Sequence, residues 1–187
     1  MAKIQYTSNE NLAEQMVQGS DGRLSVSSRS DERSYYNSRD KQQAFSLVWS
    51  DASSAAGDAV LYWKNTDTTG KHLVIDGIEI NSEKYASFCM AEVTGTAAGG
   101  TATTPVCLNR ASPRVAQATA RTADTTPLTG LTEGVTIDLK TCDAQSSIEM
   151  NLHDRLRIGQ DGAIAIYVKT VASGPGITSG TIFGYYE

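Results

Sequence analysis

The chain has 187 residues, enough for one domain with a complete hydrophobic core, and 40% of them are hydrophobic. Its formal net charge of −5 argues against a general electrostatic grip on nucleic acid, which requires clustered lysines and arginines. No run approaches the roughly 18 consecutive apolar residues of a membrane-spanning helix, and no apolar leader follows Lys3. We therefore expect synthesis and folding in a cytoplasm, with neither nucleic acid nor membrane as a partner.

Residues 1–43 form a polar segment rich in Ser, Asn, Gln and Arg. Its one helix-like stretch, residues 9–18, offers too little apolar surface to be buried alone. The segment contains six cationic and six acidic residues, so the whole net charge of −5 belongs to residues 44–187. We predict two parts, an extended N-terminal arm over residues 1–43 and a folded domain over residues 44–187.

The arm contains residue types that are common in protein interfaces. Arginine and tyrosine are enriched at interface hot spots, and a merely solubilising tail would need neither them nor apolar residues. A segment that becomes ordered on a partner contacts a wide surface with little protein mass. The alternative is a disordered leader without a partner. The predicted partner-binding residues of the arm are Leu24, Val26, Arg29, Arg33, Tyr35, Tyr36 and Arg39.

Alternating apolar and polar residues predict a series of β-strands from residue 44 onward. Strand 59–64 is apolar on both faces and is expected to be central in its sheet, and residues 65–70 have the composition of a hairpin loop. The apolar phase slips beside Asp76 and Gly77, which indicates a β-bulge. The predicted strands span residues 44–49, 59–64, 72–80, 85–93, 135–140, 147–152, 155–158, 163–171 and 181–186.

Residues 94–134 form the longest weakly patterned region, dominated by Thr, Ala and Gly. We predict loops there, with short strands near 105–108 and 115–120, and long loops on a rigid β scaffold often carry binding surfaces. A strand spacing of about ten residues without amphipathic helices leaves a sandwich, a jelly roll or a small barrel. The long connection favours a jelly roll. The predicted fold is all-β, an antiparallel β-sandwich or jelly roll of about eight to ten strands.

No catalytic or metal-binding pattern is evident in the sequence. His72 and His153 lack the HxH or HxxxH spacing of metal ligands, and no GxSxG nucleophile elbow occurs. The Gly-rich run 95–100 is not followed by the Gly-Lys-Ser/Thr of a phosphate-binding loop. We therefore expect no enzyme activity and no cofactor.

The cysteines and tryptophans are expected to be core residues. Cys89, Cys107 and Cys142 are odd in number and include no CxxC pair, so they are predicted to be small buried hydrophobic residues. A disulfide between two of them stays open, because the sequence does not show which residues meet. Trp49 and Trp63 lie within predicted strands and do not form an aromatic loop of the kind that binds glycans.

Several turn and strand motifs resemble small structural proteins encoded beside the major capsid protein in tailed bacteriophages. The resemblance covers about residues 44–187 and implies a capsid decoration or cement protein of jelly-roll type. Such a protein is a β-rich unit without catalytic residues that binds the outside of the assembled head, often as a trimer. The motifs are VLYWKNTD (60–67), LVIDGIEI (73–80), VTGT (93–96), LTGLTEG (128–134), residues 156–169 and IFGYYE (182–187).

The resemblance implies partners and a location. The expected partners are the major capsid protein and further copies of the chain in a homotrimer, on the exterior of the virion capsid. Stabilisation would come from binding the expanded shell but not dissociated subunits, and several arms would add avidity. One alternative is a tail-fibre or spike domain that recognises a host glycan or protein. A second is a cellular carbohydrate-binding module, which explains the sandwich but not the missing export signal.

Overall fold

The structure is a computed structural model that describes residues 36–172 and 174–187, except for the side chains of Asp40, Ser53 and Asp154. These residues contain one helical turn and eleven strands, and none of their helices is long and apolar enough to cross a membrane. The turn spans Asn37–Lys41. The strands are β1 (Ala44–Ser54), β2 (Ala59–Asn65), β3 (Leu73–Ser82), β4 (Ala86–Ala98), β5 (Thr101–Thr103), β6 (Val106–Cys107), β7 (Ala118–Thr122), β8 (Thr129–Cys142), β9 (Ser146–Ile158), β10 (Ala163–Val171) and β11 (Gly176–Tyr186).

The strands form two antiparallel sheets. Sheet A has the order β6-β1-β11-β3-β9, and sheet B has the order β5-β7-β2-β10-β4-β8. Along the chain, consecutive long strands lie in opposite sheets, except that β4 and β8 are neighbours in sheet B. This is the connectivity of a jelly roll, in which two Greek keys wrap around one core. The predicted antiparallel sandwich is therefore confirmed.

The connection between β4 and β8 extends both sheets at the same edge of the sandwich. Strands β5 and β7 continue sheet B beyond β2, while β6 pairs with β1 of sheet A. The short strands predicted near 105–108 and 115–120 correspond to β6 and β7. The prediction that the rest of 94–134 is loop was wrong, because β4 continues to Ala98 and β8 begins at Thr129. The Thr- and Gly-rich sequence lacks the apolar alternation of a strand, so it did not reveal the end of β4 and the start of β8, which pair with each other.

The main core lies between the two sheets. It contains Trp49 and Trp63, which are both essentially inaccessible to solvent, as predicted. All three cysteines are buried, and none forms a disulfide. The expectation that they act as small buried hydrophobic residues is therefore confirmed, and the open question of a bridge is answered for this structure.

The loop after β2 crosses between the sheets and does not form the predicted hairpin, because β2 and β3 belong to different sheets. The buried side chain of Asn65 stabilises this crossing. Its Nδ2 donates to the carbonyl oxygens of Lys71 and Ile158, both at 2.9 Å, and its Oδ1 accepts from the N–H of Asp67 at 2.9 Å. Turn-forming residues therefore located a change of direction, but they did not show which strands pair.

The bulge predicted beside Asp76 and Gly77 is present, since the pairing of β3 shifts between Ile75 and Gly77. Its counterpart lies on β9, around His153, which has a positive φ of 47°. The two strands predicted over 147–152 and 155–158 are therefore one bulged strand.

Candidate partner-binding surface

The outer face of sheet A carries an exposed apolar patch near the edge strand β6. Val106 pairs with Ser46 of β1, and Ser46 pairs on its other side with Phe183 of β11. Val48 lies two residues further along β1 and therefore on the same face. Val48 is 61% exposed, Val106 47% and Leu108 41%, and Phe183 is partly exposed. We call Val48, Val106, Leu108 and Phe183 the apolar patch.

The same face becomes acidic on the far side of the sheet. In the row that begins with Val48, the next partners are Thr181, Glu79 and Glu149. Both glutamates are exposed and lie directly opposite each other on neighbouring strands. A partner that packs on the apolar patch therefore meets negative charge on the side of β9.

One further row of this face is buried. Ala44, Tyr185 and Val74 are paired across β1, β11 and β3, and they form a small apolar cluster that solvent hardly reaches. The helical turn Asn37–Lys41 contacts both β1 and β11. The chain that leads into the domain therefore joins the sandwich beside the apolar patch.

Backbone hydrogen bonds hold this junction in place. The carbonyl oxygen of Asn37 accepts from the N–H groups of Gln42 and Gln43, the latter at 2.8 Å. Gln42 has the left-handed conformation, with φ 56°, which turns the chain from the helical turn into β1. The N–H of Tyr186 then donates to the carbonyl oxygen of Gln43 at 3.0 Å.

Two of the predicted arm residues lie at this junction. The ring of Tyr36 is 5.7 Å from Nζ of Lys41, a cation–π distance. Arg39 is exposed, and its carbonyl oxygen accepts from Nδ2 of Asn109 at 3.5 Å. The structure therefore brings these two residues close to the apolar patch. The other predicted residues, Leu24, Val26, Arg29, Arg33 and Tyr35, lie outside the described residues and stay predictions.

Two cations converge on one neutral oxygen beside the junction. The side-chain amide of Gln43 is oriented by its neighbours, since its Nε2 donates to the carbonyl oxygen of Tyr186 at 2.8 Å. Its Oε1 accepts from Nζ of Lys71 at 2.5 Å and from Nη1 of Arg114 at 3.2 Å. An amide oxygen satisfies both donors without neutralising either charge.

Nearby acids are occupied elsewhere. Asp161 pairs with Lys64 at 2.8 Å, and Glu187 pairs with Arg157 at 2.6 Å. Asp67 lies in the same crossing loop as Lys71, but its carboxylate accepts from the hydroxyl and N–H of Thr69 and from the N–H of Lys71. The Thr69 hydroxyl hydrogen bond is the main cause that holds the pKa of Asp67 below its usual value, and the charge of Lys71 contributes less.

The loop between β6 and β7 presents Arg114 together with an apolar neighbour, Val115, which is 63% exposed. Ser112 orders this loop, because its Oγ accepts from the N–H of Arg114 at 3.1 Å. At the end of the loop, the hydroxyl of Tyr186 donates to the carbonyl oxygen of Gln117 at 2.9 Å, and burial raises the pKa of that hydroxyl. We use the name arm-root surface for Lys41, Gln43, Lys71, Leu108, Arg114 and Val115.

The outer face of sheet B is closed by the protein itself. On β10, Ala163, Ala165 and Tyr167 belong to a second buried apolar cluster, whereas the alternating Ile164, Ile166 and Val168 face the main core. Ala97 and Leu128, from the far ends of the β4 and β8 segment, pack on this second cluster. The apolar residues of this second cluster are therefore already covered, while Val135 and Leu139 of the edge strand β8 stay exposed.

Two side chains bind the segment that covers the second cluster, which we call the cover of sheet B. Arg121 on β7 donates from Nε to the carbonyl oxygen of Gly99 at 2.8 Å and from Nη2 to that of Gly100 at 3.2 Å. Lys169 on β10 forms an ion pair with Glu133 of β8 at 2.5 Å. Among the described residues, sheet B exposes Val135 and Leu139 on its edge strand β8, whereas sheet A exposes the apolar patch beside the arm junction.

Sequence reasoning missed the apolar patch and the convergence of Lys71 and Arg114 in the arm-root surface. One signal was available. Phe45, Leu47 and Trp49 define the core-facing phase of β1, so Val48 is an apolar residue on the opposite phase. The convergence of Lys71 and Arg114 had no signal in the sequence, because the two residues meet only through the crossing loop and the β6–β7 connection.

No protein-family model matches the chain, and the searches of curated proteins and of solved structures give no match either. Within residues 36–172 and 174–187, no group of three or more His, Cys, Asp or Glu side chains is arranged to hold a metal ion.

Proposed function

We propose that this protein is a structural virion protein that binds the outer surface of a tailed-phage head and stabilises the capsid as a decoration, or cement, protein. The observation that carries the proposal is the apolar patch on the open face of sheet A, which lies beside the junction with the N-terminal arm. Contiguous exposed apolar residues with a polar surround are typical of protein interaction sites. The turn and strand motifs that resemble decoration proteins support the same function.

In this mechanism the apolar patch packs on the major capsid protein, and the arm extends across neighbouring subunits. Binding to the assembled shell but not to free subunits stabilises the shell by mass action. Copies of the chain associate as a homotrimer on the capsid exterior, so that several weak contacts act together. Binding of this kind needs no catalytic residue and no cofactor.

The test is co-sedimentation of the purified protein with expanded phage heads that lack it, followed by heating of the heads with and without saturating protein. We expect saturable binding and a higher temperature of head disruption. The variant Val48→Asp/Val106→Asp places two charges in the apolar patch and should lose binding. Val135→Asp/Leu139→Asp is the matched control, because these exposed residues lie on the edge strand β8. Absence of saturable binding by the unmodified protein would refute the proposal.

The arm has its own test. Deletion of residues 1–42 should leave a folded domain that no longer stays on heads, because the remaining contact is smaller. Circular dichroism checks the fold, and sedimentation checks retention. Normal retention of the truncated protein would remove the arm from the binding site while leaving the apolar patch in it.

A second candidate function is host recognition by a tail-fibre or spike domain. The observation that favours it is Tyr85, a half-exposed aromatic residue at the end of the sandwich opposite to the arm junction. Its loop is tied to the β10–β11 loop, since the N–H of Ala172 donates to the carbonyl oxygen of Tyr85 at 2.9 Å. Aromatic rings in ordered loops suit glycan binding. A glycan array that responds to the protein but not to Tyr85→Ala would favour this function over decoration.

A further inference from the structure

We infer that the arm-root surface binds an acidic segment of a protein partner, through Lys71 and Arg114. The inference deepens the proposed function and rests on it only for the identity of that partner, which would be the capsid shell.

The first observation is a pair of weakly compensated positive charges, since the charge of Lys71 acts on the Asp67 carboxylate without forming an ion pair with it. Nζ of Lys71 and Nη1 of Arg114 both donate to Oε1 of Gln43. Among the described residues neither cation forms an ion pair with a carboxylate, whereas the nearby Lys64 and Arg157 each do. A carboxylate that replaced the amide oxygen would receive the same two hydrogen bonds with a charged acceptor as well as charged donors, whereas Gln43 provides a neutral acceptor.

The second observation is that the main chain around the two cations is ordered in advance. Gln43 is fixed by its side-chain bond to Tyr186 and by the backbone bond from the same residue. The N–H of Arg114 is fixed by Ser112. Binding therefore needs little ordering of the main chain around the two cations, which lowers its entropic cost.

The third observation distinguishes a protein segment from nucleic acid. The cations stand among exposed apolar residues, Leu108 and Val115, and the domain that carries them has a net charge of −5 over residues 44–187. Nucleic acid requires an extended row of cations along its phosphates and is repelled by an acidic body. An acidic segment that carries an apolar residue needs only a few nearby cations and an adjacent apolar surface, and the arm-root surface provides both.

The surroundings also orient the partner. On the outer face of sheet A, Glu79 and Glu149 lie across the sheet from the apolar patch. They repel an acidic segment, while the arm-root surface attracts it. An acidic segment is therefore expected to enter from the side of β6, where cations adjoin the apolar patch, and not from the side of β9.

The experiment uses the full chain and poly-L-glutamate as the probe, without phage heads. Calorimetry gives the affinity, and two-dimensional amide NMR locates the contact. We expect saturable binding that weakens as salt is added and shifts confined to the neighbourhood of Gln43, Lys71 and Arg114. Lys71→Glu/Arg114→Glu should weaken binding by about tenfold or more. Lys71→Gln/Arg114→Gln is a milder variant that removes both charges if the first fails to fold.

The matched control is Lys140→Glu/Arg155→Glu, which changes the net charge equally at two exposed positions of β8 and β9. It should bind the probe nearly as well as the unmodified protein. Equal losses in both variants, shifts located elsewhere, or no saturation would overturn the inference. Tighter binding of a single-stranded oligonucleotide at the same residues would overturn it in favour of nucleic acid.

The outcome is separable from that of the proposed function. If the probe binds at Lys71 and Arg114 but the protein does not sediment with heads, the capsid proposal fails and the acidic-segment site stands. If the protein binds heads and Lys71→Glu/Arg114→Glu binds them equally well, the site fails and the capsid proposal stands.

Discussion

Trp49 and Gly180 lie directly opposite each other on β1 and β11, and the six-membered ring of Trp49 fills the space that a side chain at position 180 would need. A β-carbon there would also collide with the carbonyl oxygen of Glu79 on β3. The largest side chain of β1 can therefore be buried because its partner on β11 has no side chain. Gly180 is a packing requirement of the core.

Replacement of Gly180 by alanine should lower the free energy of unfolding by about 1–3 kcal/mol, the range found for overpacked cores. Urea unfolding followed by tryptophan fluorescence measures the change. Gly77→Ala is the matched control in β3, because the nearest atom to its new β-carbon would be the carbonyl oxygen of Met150 at 3.5 Å, an ordinary contact. Equal losses in the two variants would contradict this account.

Glu79 and Glu149 form a like-charge pair across β3 and β9. Glu149→Lys should raise the free energy of unfolding by roughly 0.2–1 kcal/mol, the range of cross-strand pairs, because it converts repulsion into attraction. Thermal unfolding at low salt measures the gain. Glu79→Lys/Glu149→Lys restores a like-charge pair and should abolish the gain, so purely additive effects of the two substitutions would speak against a direct interaction.

Arg121 holds Gly99 and Gly100 beside the second apolar cluster, which contains the buried Cys89, and its loss should expose that cluster. Arg121→Met removes two hydrogen bonds to the cover and should cost about 1 kcal/mol, given the partial exposure of the guanidinium. The thiol of Cys89 should then react faster with iodoacetamide, as followed by mass spectrometry. Cys142, in the main core, is the internal control, and equal acceleration at both thiols would indicate general unfolding instead.

Asp67 should make stability depend on acid pH. Its hydrogen bonds, first of all that from the Thr69 hydroxyl, lower its pKa in the folded state. The stabilisation is therefore fully present above the unfolded pKa of about 4 and is lost as pH falls through the lower folded pKa. Asp67→Asn should thus be less stable than the unmodified protein at neutral pH, and the difference should shrink in acid.

Thr69→Val provides a second measurement of the same effect. It removes the principal hydrogen-bond donor to the Asp67 carboxylate and should reproduce part of the loss at neutral pH. Urea unfolding at several pH values measures both variants. A difference between Asp67→Asn and the unmodified protein that stays constant into strong acid would exclude the carboxylate as its source.

Local patterns predicted what depends on neighbouring residues in the sequence. The alternation of β10, the buried tryptophans and the bulge at Gly77 all follow from side-chain phase, which one strand defines alone. Pairing across the molecule was harder to predict. The crossing loop after Asn65 was mistaken for a hairpin, because the turn chemistry is the same whether the next strand returns to the same sheet or enters the other one.

The candidate surface was predictable only in part. Tyr36 and Arg39 were selected by residue type, and both lie at the junction of the arm. The apolar patch depends on Val106 being placed beside β1 by a two-residue strand, and so short a strand has no detectable period. Lys71 and Arg114 are far apart in the sequence, and only the tertiary fold brings them to one oxygen atom.

The order of strands in the two sheets has a consequence for the folding of the chain during its synthesis on the ribosome. Strand β11 inserts between β1 and β3, and β10 inserts between β2 and β4. Strands β1 to β4 therefore lack their pairing partners, and Trp49 and Trp63 are not fully covered, until the last quarter of the domain has been translated. We expect nascent chains that stop before Ala163 to contain neither finished sheet, since such distant pairings form slowly and late. Folding of the domain is then a single event that follows the synthesis of β11, and residues 1–43 leave the ribosome well before that event.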